Sequence, residues 1–265
     1  MRKAIVAVAL PIAGCAALAT TGTRDLTAQR AAMVARLHDE LIAADPQTDD
    51  AYFTHALAAV GATRREDFVQ PAGRRIAYFD VPQQIGFDQT ISSPRIVAIM
   101  TGAARVASGA TVLDVGTGSG YQAAILSRLG ARVTSLEIVP GLARAAAARL
   151  DRLGYRGIEV HAADGFLGWA PRAPFDAIIV AAGAAAIPPA LVAQLKPGGR
   201  LVMPIGPSTV QEQLLVVAKD RDSALTRCSL GATMFVPLTG RGARAATLRG
   251  LIDRAIPGCY AGPLT

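Results

Sequence analysis

The stretch VLDVGTGSGYQAAIL, residues 112–126, most constrains what this 265-residue chain can fold into. An apolar, β-branched run ends at Val115. Glycines follow at 116, 118 and 120, and a helix-like segment opens at Tyr121. A strand that turns through alternating glycines into a helix lets a ligand approach the backbone and offers it free N–H groups. Tyr121 stands where the dinucleotide pattern G-x-G-x-x-G requires its third glycine, so this is not a pyrophosphate-binding turn of that type. Glu137 ends the next strand-like run, 21 residues after Gly116, where a carboxylate can accept hydrogen bonds from both hydroxyls of a ribose. Asp164-Gly165, after a third strand, adds a loop at the same sheet edge that can contact an adenine amino group or ring. The structural alternatives are a helix cap for Asp164 and a surface charge for Glu137.

Around this turn the pattern alternates. TVLDVG, RVTSLE, GIEVHAAD, FDAIIVAAG and RLVMPIG read as strands; YQAAILSRLG, GLARAAAARLDRLG and PPALVAQLKPGG read as helices, the last ending at Gly198-Gly199. QLLVVAKD and residues 232–236 read as two late strands, with an antiparallel edge. The expectation is an α/β fold: a doubly wound, mostly parallel seven-stranded sheet with helices on both faces. Upstream, residues 27–44 carry Met33, Leu37, Leu41 and Ile42 at helical spacing, and residues 48–60 suggest a second helix capped by Thr48 or Asp49. Residues 75–81 suggest a short strand. GFDQTISSPR (86–95) ends with Ser93 as an N-cap and Pro94 in a first helical turn, followed by Ile96, Val97, Met100 and Ala104 on one face. This divides the chain into residues 1–23 (a signal), 24–85 (helical region), 86–245 (core) and 246–265 (extension).

The glycine turn with its acidic strand end resembles the class I methyltransferase fold, which binds S-adenosylmethionine. Further motifs narrow the resemblance: QTISSP (89–94), DGFLGW (164–169), APFDAIIVAAGAAAIP (173–188), LKPGGRLVMPIG (195–206), FVPL (235–238) and RREDFV (64–69). Over about residues 55 to 245 the chain is similar to the protein-L-isoaspartate O-methyltransferases. The resemblance implies methylation of the free α-carboxyl of L-isoaspartyl residues in damaged proteins and peptides, which starts their repair through a succinimide. It maps the catalytic serine onto Ser92, a matching threonine onto Thr90, and a position near the cofactor onto Thr239. The cofactor-binding set is then Asp114, Gly116, Thr117, Gly118, Gly120, Glu137, Asp164, Gly165 and Thr239, with no metal. One departure stands out. Family members commonly have G-x-G ahead of QTIS, whereas here Asp88 replaces the second glycine, an acid beside the expected carboxylate site.

The residue chemistry agrees with such a reaction. A carboxylate, with its pKa near ~4, is ionised at neutral pH and needs no general base. Methyl transfer from a sulfonium depends on alignment, and small hydroxyls beside a helix N-terminus suit a carboxylate. A methyltransferase for another carboxylate or small molecule, and an exported binding module, are the alternative readings.

Arg2 and Lys3 precede an uncharged apolar run up to Arg24, the pattern of an export signal. Ala17-Leu18-Ala19 offers a small-x-small cleavage site. Ile12-Ala13-Gly14-Cys15 offers a lipobox that would anchor Cys15 to lipid. The expected location is periplasmic or lipid-anchored; a start codon placed too far upstream would make it cytoplasmic. Removing Arg2 and Lys3 lowers the formal charge from +7 to +5. That modest excess, including Arg241, Arg244, Arg249 and Arg254, reads as a solvated helix face rather than a nucleic-acid surface. Cys228 and Cys259 can pair in an oxidising compartment. His38, His55 and His161 are scattered, as structural or exposed residues are. The oligomeric state is left open.

Overall fold

The computed structural model describes residues 25–206, 212–241 and 256–259. The signal segment with Cys15, the arginines at 244, 249 and 254, and most of the extension lie outside the described residues.

Two amphipathic helices lead the chain. Helix α1 (Leu26–Ala44) is capped by Asp25, whose side chain accepts from the Thr27 amide, and it buries Met33, Leu37 and Leu41, while Ile42 is only partly covered. Helix α2 (Ala51–Ala62) is capped by Asp50, which accepts from the Phe53 amide at 2.8 Å. The expected caps do not hold there. The buried Thr48 hydroxyl instead donates back to the carbonyls of Leu41 and Asp45, so it closes the preceding turn. Residues 75–81 form no strand. Pro71–Ile76 is a 3₁₀ turn, initiated by Pro71, and further turns bury Ala77 and Tyr78.

GFDQTIS is half of a β-hairpin. Strand β1 (Gln83–Gly86) pairs antiparallel with β2 (Gln89–Ile91), with Phe87 and Asp88 at the tip. Both tip residues have positive φ, 53° and 56°, which is the geometry of a tight hairpin turn. Helix α3 (Pro94–Ala103) follows, with Ser93 as its N-cap and Pro94 in its first turn, as the sequence predicts. Val97, Met100 and Ala104 on its inner face are buried.

The sheet runs β5–β4–β3–β6–β7–β8–β9, where β3 is Thr111–Val115, β4 Arg132–Glu137, β5 Ile158–Ala162, β6 Phe175–Val180, β7 Leu195–Ile205, β8 Glu212–Lys219 and β9 Leu225–Thr233. β3 to β7 are mutually parallel, and β8 is antiparallel to both neighbours. Strand order reverses between β3 and β6, and the carboxyl ends of such strands form a crevice. Along β6, Ala177 and Ile179 face one core while Phe175, Ile178 and Val180 face the other, so a strand buried on both sides reads as a continuous apolar run. The first core takes α1 to α3, α4 (Tyr121–Arg128) and α5 (Pro140–Arg152). The second is closed by the short α6 (Pro189–Ala193) and the segment around Phe166 and Trp169.

Two boundaries differ from expectation. LKPGG belongs to β7, not to a helix: α6 stops at Ala193, and Leu195 already pairs with Phe175. The last strand is 225–233 rather than 232–236. It is an edge strand with Thr226, Arg227 and Ser229 among its residues, so no apolar run marks it. A disulfide joins its Cys228 to Cys259, and Ser229 exchanges backbone hydrogen bonds with Pro257 and Cys259, which lays the C-terminal segment on the strand.

Candidate active site

A cleft of about 890 Å³, its open mouth included, lies at the carboxyl ends of β3, β4 and β6. Gly116, Thr117, Gly118 and Glu137 line it on one side. Thr90 and Ser92 line it from the hairpin side, and Gly165 and Thr239 complete the set from two loops.

The glycine turn is built by its backbone. Gly116 has φ +91°, and a Cβ there would meet Ala181 only at an ordinary 3.6 Å, so conformation and not space demands glycine. The amides of Gly116 and Thr117 donate to the Leu136 carbonyl, which ties the turn to β4. Glu137, 6% exposed, accepts from the Gly118 amide at 2.8 Å and from the Val139 amide at 3.0 Å. Two backbone donors fix the carboxylate and leave acceptor sites free for a pair of hydroxyls. Ile138 and Val139, next along the chain, add an apolar surface to the cleft. A hydroxyl-accepting carboxylate beside an apolar surface and a glycine turn is a donor and acceptor set that fits a nucleoside such as the one in S-adenosylmethionine.

Three expected cofactor residues stand outside the cleft lining. Asp114 is fully buried behind the turn, because it shares the face of β3 with Val112. Its Oδ2 accepts from Ser135 at 2.7 Å, and Ser135 bonds the Thr117 hydroxyl at 2.6 Å. Oδ1 has no partner. Burial pushes this carboxyl up to about 7 against the Ser135 hydrogen bond, and the charge of Glu137 adds to the rise. Asp114 therefore braces Thr117 from beneath. Gly120 starts α4 at φ +87°, against Leu150. Asp164 caps the turn Gly165–Leu167 through the Phe166 amide and also accepts from the Arg241 amide at 2.7 Å, so it joins two loops of the rim.

The hairpin roofs the cleft. Ile85 packs over Gly118, where a Cβ would come within 3.2 Å of its Cδ1. The Phe87 ring lies on Gly141 at the start of α5, where a Cβ would meet Cζ at 2.8 Å. Half-buried Thr90 and Ser92 then face the cleft, and Ser93, not Ser92, caps α3. Asp80 secures this junction: it accepts from the Arg95 amide at 2.9 Å and from the guanidinium Nε at 2.8 Å. Burial alone would raise the Asp80 carboxyl, but these hydrogen bonds hold it below its ordinary value. Arg95 also pairs with Glu40 of α1.

The far side is residues 236–239, bonded to the loop after β6: Gly183 donates to Val236 and accepts from Leu238. Glu212, 2% exposed at the start of β8, accepts from the Phe235 amide at 2.8 Å and packs against Gly183. Neither Glu212 nor the roofing pair Ile85 and Phe87 is marked by a motif. The three histidines stand apart from the cleft: His38 and His55 are exposed, and His161 stacks on Trp169.

Comparison with known proteins gives concordant results. The family model described as protein-L-isoaspartate(D-aspartate) O-methyltransferase matches residues 34–243. A protein-L-isoaspartate O-methyltransferase 1 of Cupriavidus necator is 42% identical over 239 residues, 90% of each chain. One from Opitutus terrae is 46% identical over 227 residues, 84% of this chain and 95% of that one. A solved protein-L-isoaspartate O-methyltransferase superposes with a TM-score of 0.68 at 24% identity, over 80% of this chain and 66% of the other. A Plasmodium falciparum structure, described as a complex of a protein of this kind with S-adenosyl-L-homocysteine, gives 0.65 at 22%, over 78% and 97%. These two likenesses bear on the fold.

Proposed function

The chain belongs to the protein-L-isoaspartate(D-aspartate) O-methyltransferase family, and on that premise we propose that Thr90 and Ser92 present the isoaspartyl carboxylate to a cofactor held along Gly116–Gly118 and Glu137. The activity is transfer of a methyl group from S-adenosylmethionine to the free carboxyl of L-isoaspartyl residues in damaged proteins, the step that initiates their repair. The observation that carries the site assignment is the convergence of Thr90, Ser92, Gly116 and Glu137 on one cleft.

S-adenosylmethionine supplies an activated methyl group on a sulfonium. The chain's own residues have to hold, orient and shield. Glu137 accepts from hydroxyls, its position set by the Gly118 and Val139 amides. The substrate carboxylate is ionised at neutral pH, so Ser92 and Thr90 act as hydrogen-bond donors that fix its direction, not as bases. The N-terminus of α3, which begins two residues after Ser92, favours the negative charge.

Ser92→Ala tests the assignment. A hydrogen bond to a charged group is worth about 1.5–3 kcal/mol, so kcat/KM for an isoaspartyl peptide should fall roughly 10- to 100-fold. Binding of S-adenosylhomocysteine should stay within about twofold. A collapse of cofactor affinity with unchanged transfer would overturn the assignment.

Export is part of the same proposal. The basic-then-apolar N-terminus favours it, and so does the Cys228–Cys259 disulfide, a bond rare in reducing compartments. Lipid attachment at Cys15 is the form expected if the lipobox is used. Fractionation of the source cells, with thiols alkylated before reduction, checks both; a soluble cytosolic protein with Cys228 and Cys259 as free thiols contradicts it.

A further inference from the structure

Among the described residues the two bulkiest fully buried side chains are Arg65 and Tyr121, and they lie against each other. Arg65, from RREDFV, lies in the 3₁₀ turn Arg65–Asp67, with its guanidinium 5.0 Å from the centroid of the Tyr121 ring. It is 0% exposed. Its Nη2 reaches the Val81 carbonyl only at 3.4 Å, and among the described residues Nε and Nη1 have no hydrogen bond of ordinary geometry, the Tyr121 hydroxyl interacting with the guanidinium more loosely. The neighbouring acids are engaged elsewhere. Glu66 bonds the Tyr78 hydroxyl and pairs with Arg64, and Asp80 is held by Arg95. A buried cation without a carboxylate of its own is strongly unfavourable unless something else balances it.

What lies beyond Tyr121 supplies the balance. Tyr121 lines the cleft, and its hydroxyl interacts with the Arg65 guanidinium without reaching a hydrogen bond of ordinary geometry to any described residue. The described residues of the lining include one acid, Glu137, and neither lysine nor arginine. Yet the proposed reaction brings two carboxylates to the cleft, the isoaspartyl nucleophile and the amino-acid end of the cofactor. Resting on that reading, we infer that Arg65 is a positioning residue whose buried charge, stacked behind Tyr121, balances a carboxylate bound in the cleft. Tyr121 separates the two, so Arg65 acts through it and by the field of a charge in a low-dielectric surround.

The test couples ligand charge to residue charge in the full chain. The ligand pairs are S-adenosylhomocysteine against its carboxamide, and an isoaspartyl peptide against its α-carboxamide counterpart. Affinities are measured by calorimetry for wild type, Arg65→Met and Arg65→Lys. Wild type should prefer the carboxylate in at least one pair by roughly tenfold. Arg65→Met should lose that preference, and Arg65→Lys should keep most of it. The pair in which the preference disappears identifies the carboxylate concerned. Equal weakening of both members of each pair in Arg65→Met means a purely structural role and overturns the inference. Should Arg65→Met fail to fold, wild type still decides: equal affinity for carboxylate and carboxamide in both pairs refutes it. Absence of S-adenosylhomocysteine binding to wild type would instead count against the proposed function.

Discussion

Asp114→Asn isolates the electrostatics beneath the cofactor turn. Asp114 is fully buried, one carboxylate oxygen has no partner among the described residues, and burial lifts its pKa from 3.8 to about 7. At about 1.4 kcal/mol per pH unit, ionising it in the folded chain costs about 4 kcal/mol relative to the unfolded chain. The sign follows from proton binding. As pH rises from 3.8 towards 7, the unfolded chain gives up this proton first, so this residue makes stability fall across that window and flat above it. Asn cannot titrate, and its amide oxygen can still accept from Ser135. Urea unfolding, followed by fluorescence of the single tryptophan, Trp169, should find wild type and Asp114→Asn within about 1 kcal/mol of each other near pH 4. By pH 8 the variant should be more stable by up to about 4 kcal/mol. A stability difference that does not change between pH 4 and pH 8 would rule out an uncompensated buried carboxyl at Asp114, because such a group cannot titrate alike in both states.

Gly116→Ala places a side chain at φ +91°, at a cost of about 1–2 kcal/mol, and should weaken S-adenosylhomocysteine binding severalfold in calorimetry. Glu212→Ala leaves the Phe235 amide without its acceptor, whereas Glu212→Gln keeps one. We expect transfer to fall roughly tenfold in the first and about twofold in the second, since a lost bond to a charged group is worth about 1.5–3 kcal/mol; equal losses would contradict the positioning of residues 235–239 by Glu212. Asp88→Gly should raise kcat/KM a few-fold for isoaspartyl peptides with acidic flanks at low salt, and the gain should fade as salt screens the exposed charge. The backbone there already has φ 56°, so glycine fits.

The glycine turn, Glu137 and the alternation of strands and helices were legible because each follows from local chemistry. Parallel strands buried on both faces are continuous apolar runs, and a turn with positive φ needs glycine. Where tertiary contacts decide, the sequence says less. Thr48 has a good cap's side chain, yet it turns back to the Leu41 carbonyl, and Asp50 caps α2. The edge strand 225–233 carries polar residues because one face is open, and so its period is weak. LKPGG reads as a helix end, but pairing of Leu195 with Phe175 draws it into β7. Within the cleft, Thr90 and Ser92 emerge from the motif resemblance, while the hairpin that aims them is hidden. Phe87 and Asp88 adopt positive φ without the usual glycine, held by Ile85 on Gly118 and Phe87 on Gly141. Asp114 illustrates the converse: its place in the motif suggests the cofactor, but strand parity points it behind the turn.

Transfer to an isoaspartyl carboxylate is read out by a twin-peptide assay. The purified protein is incubated with methyl-labelled S-adenosylmethionine and either an isoaspartyl peptide or the same peptide with normal aspartate. Base-labile label should appear on the isoaspartyl peptide alone and be lost when Ser92 is replaced by alanine. Equal labelling of both peptides, or binding of the cofactor with transfer to neither, would contradict it.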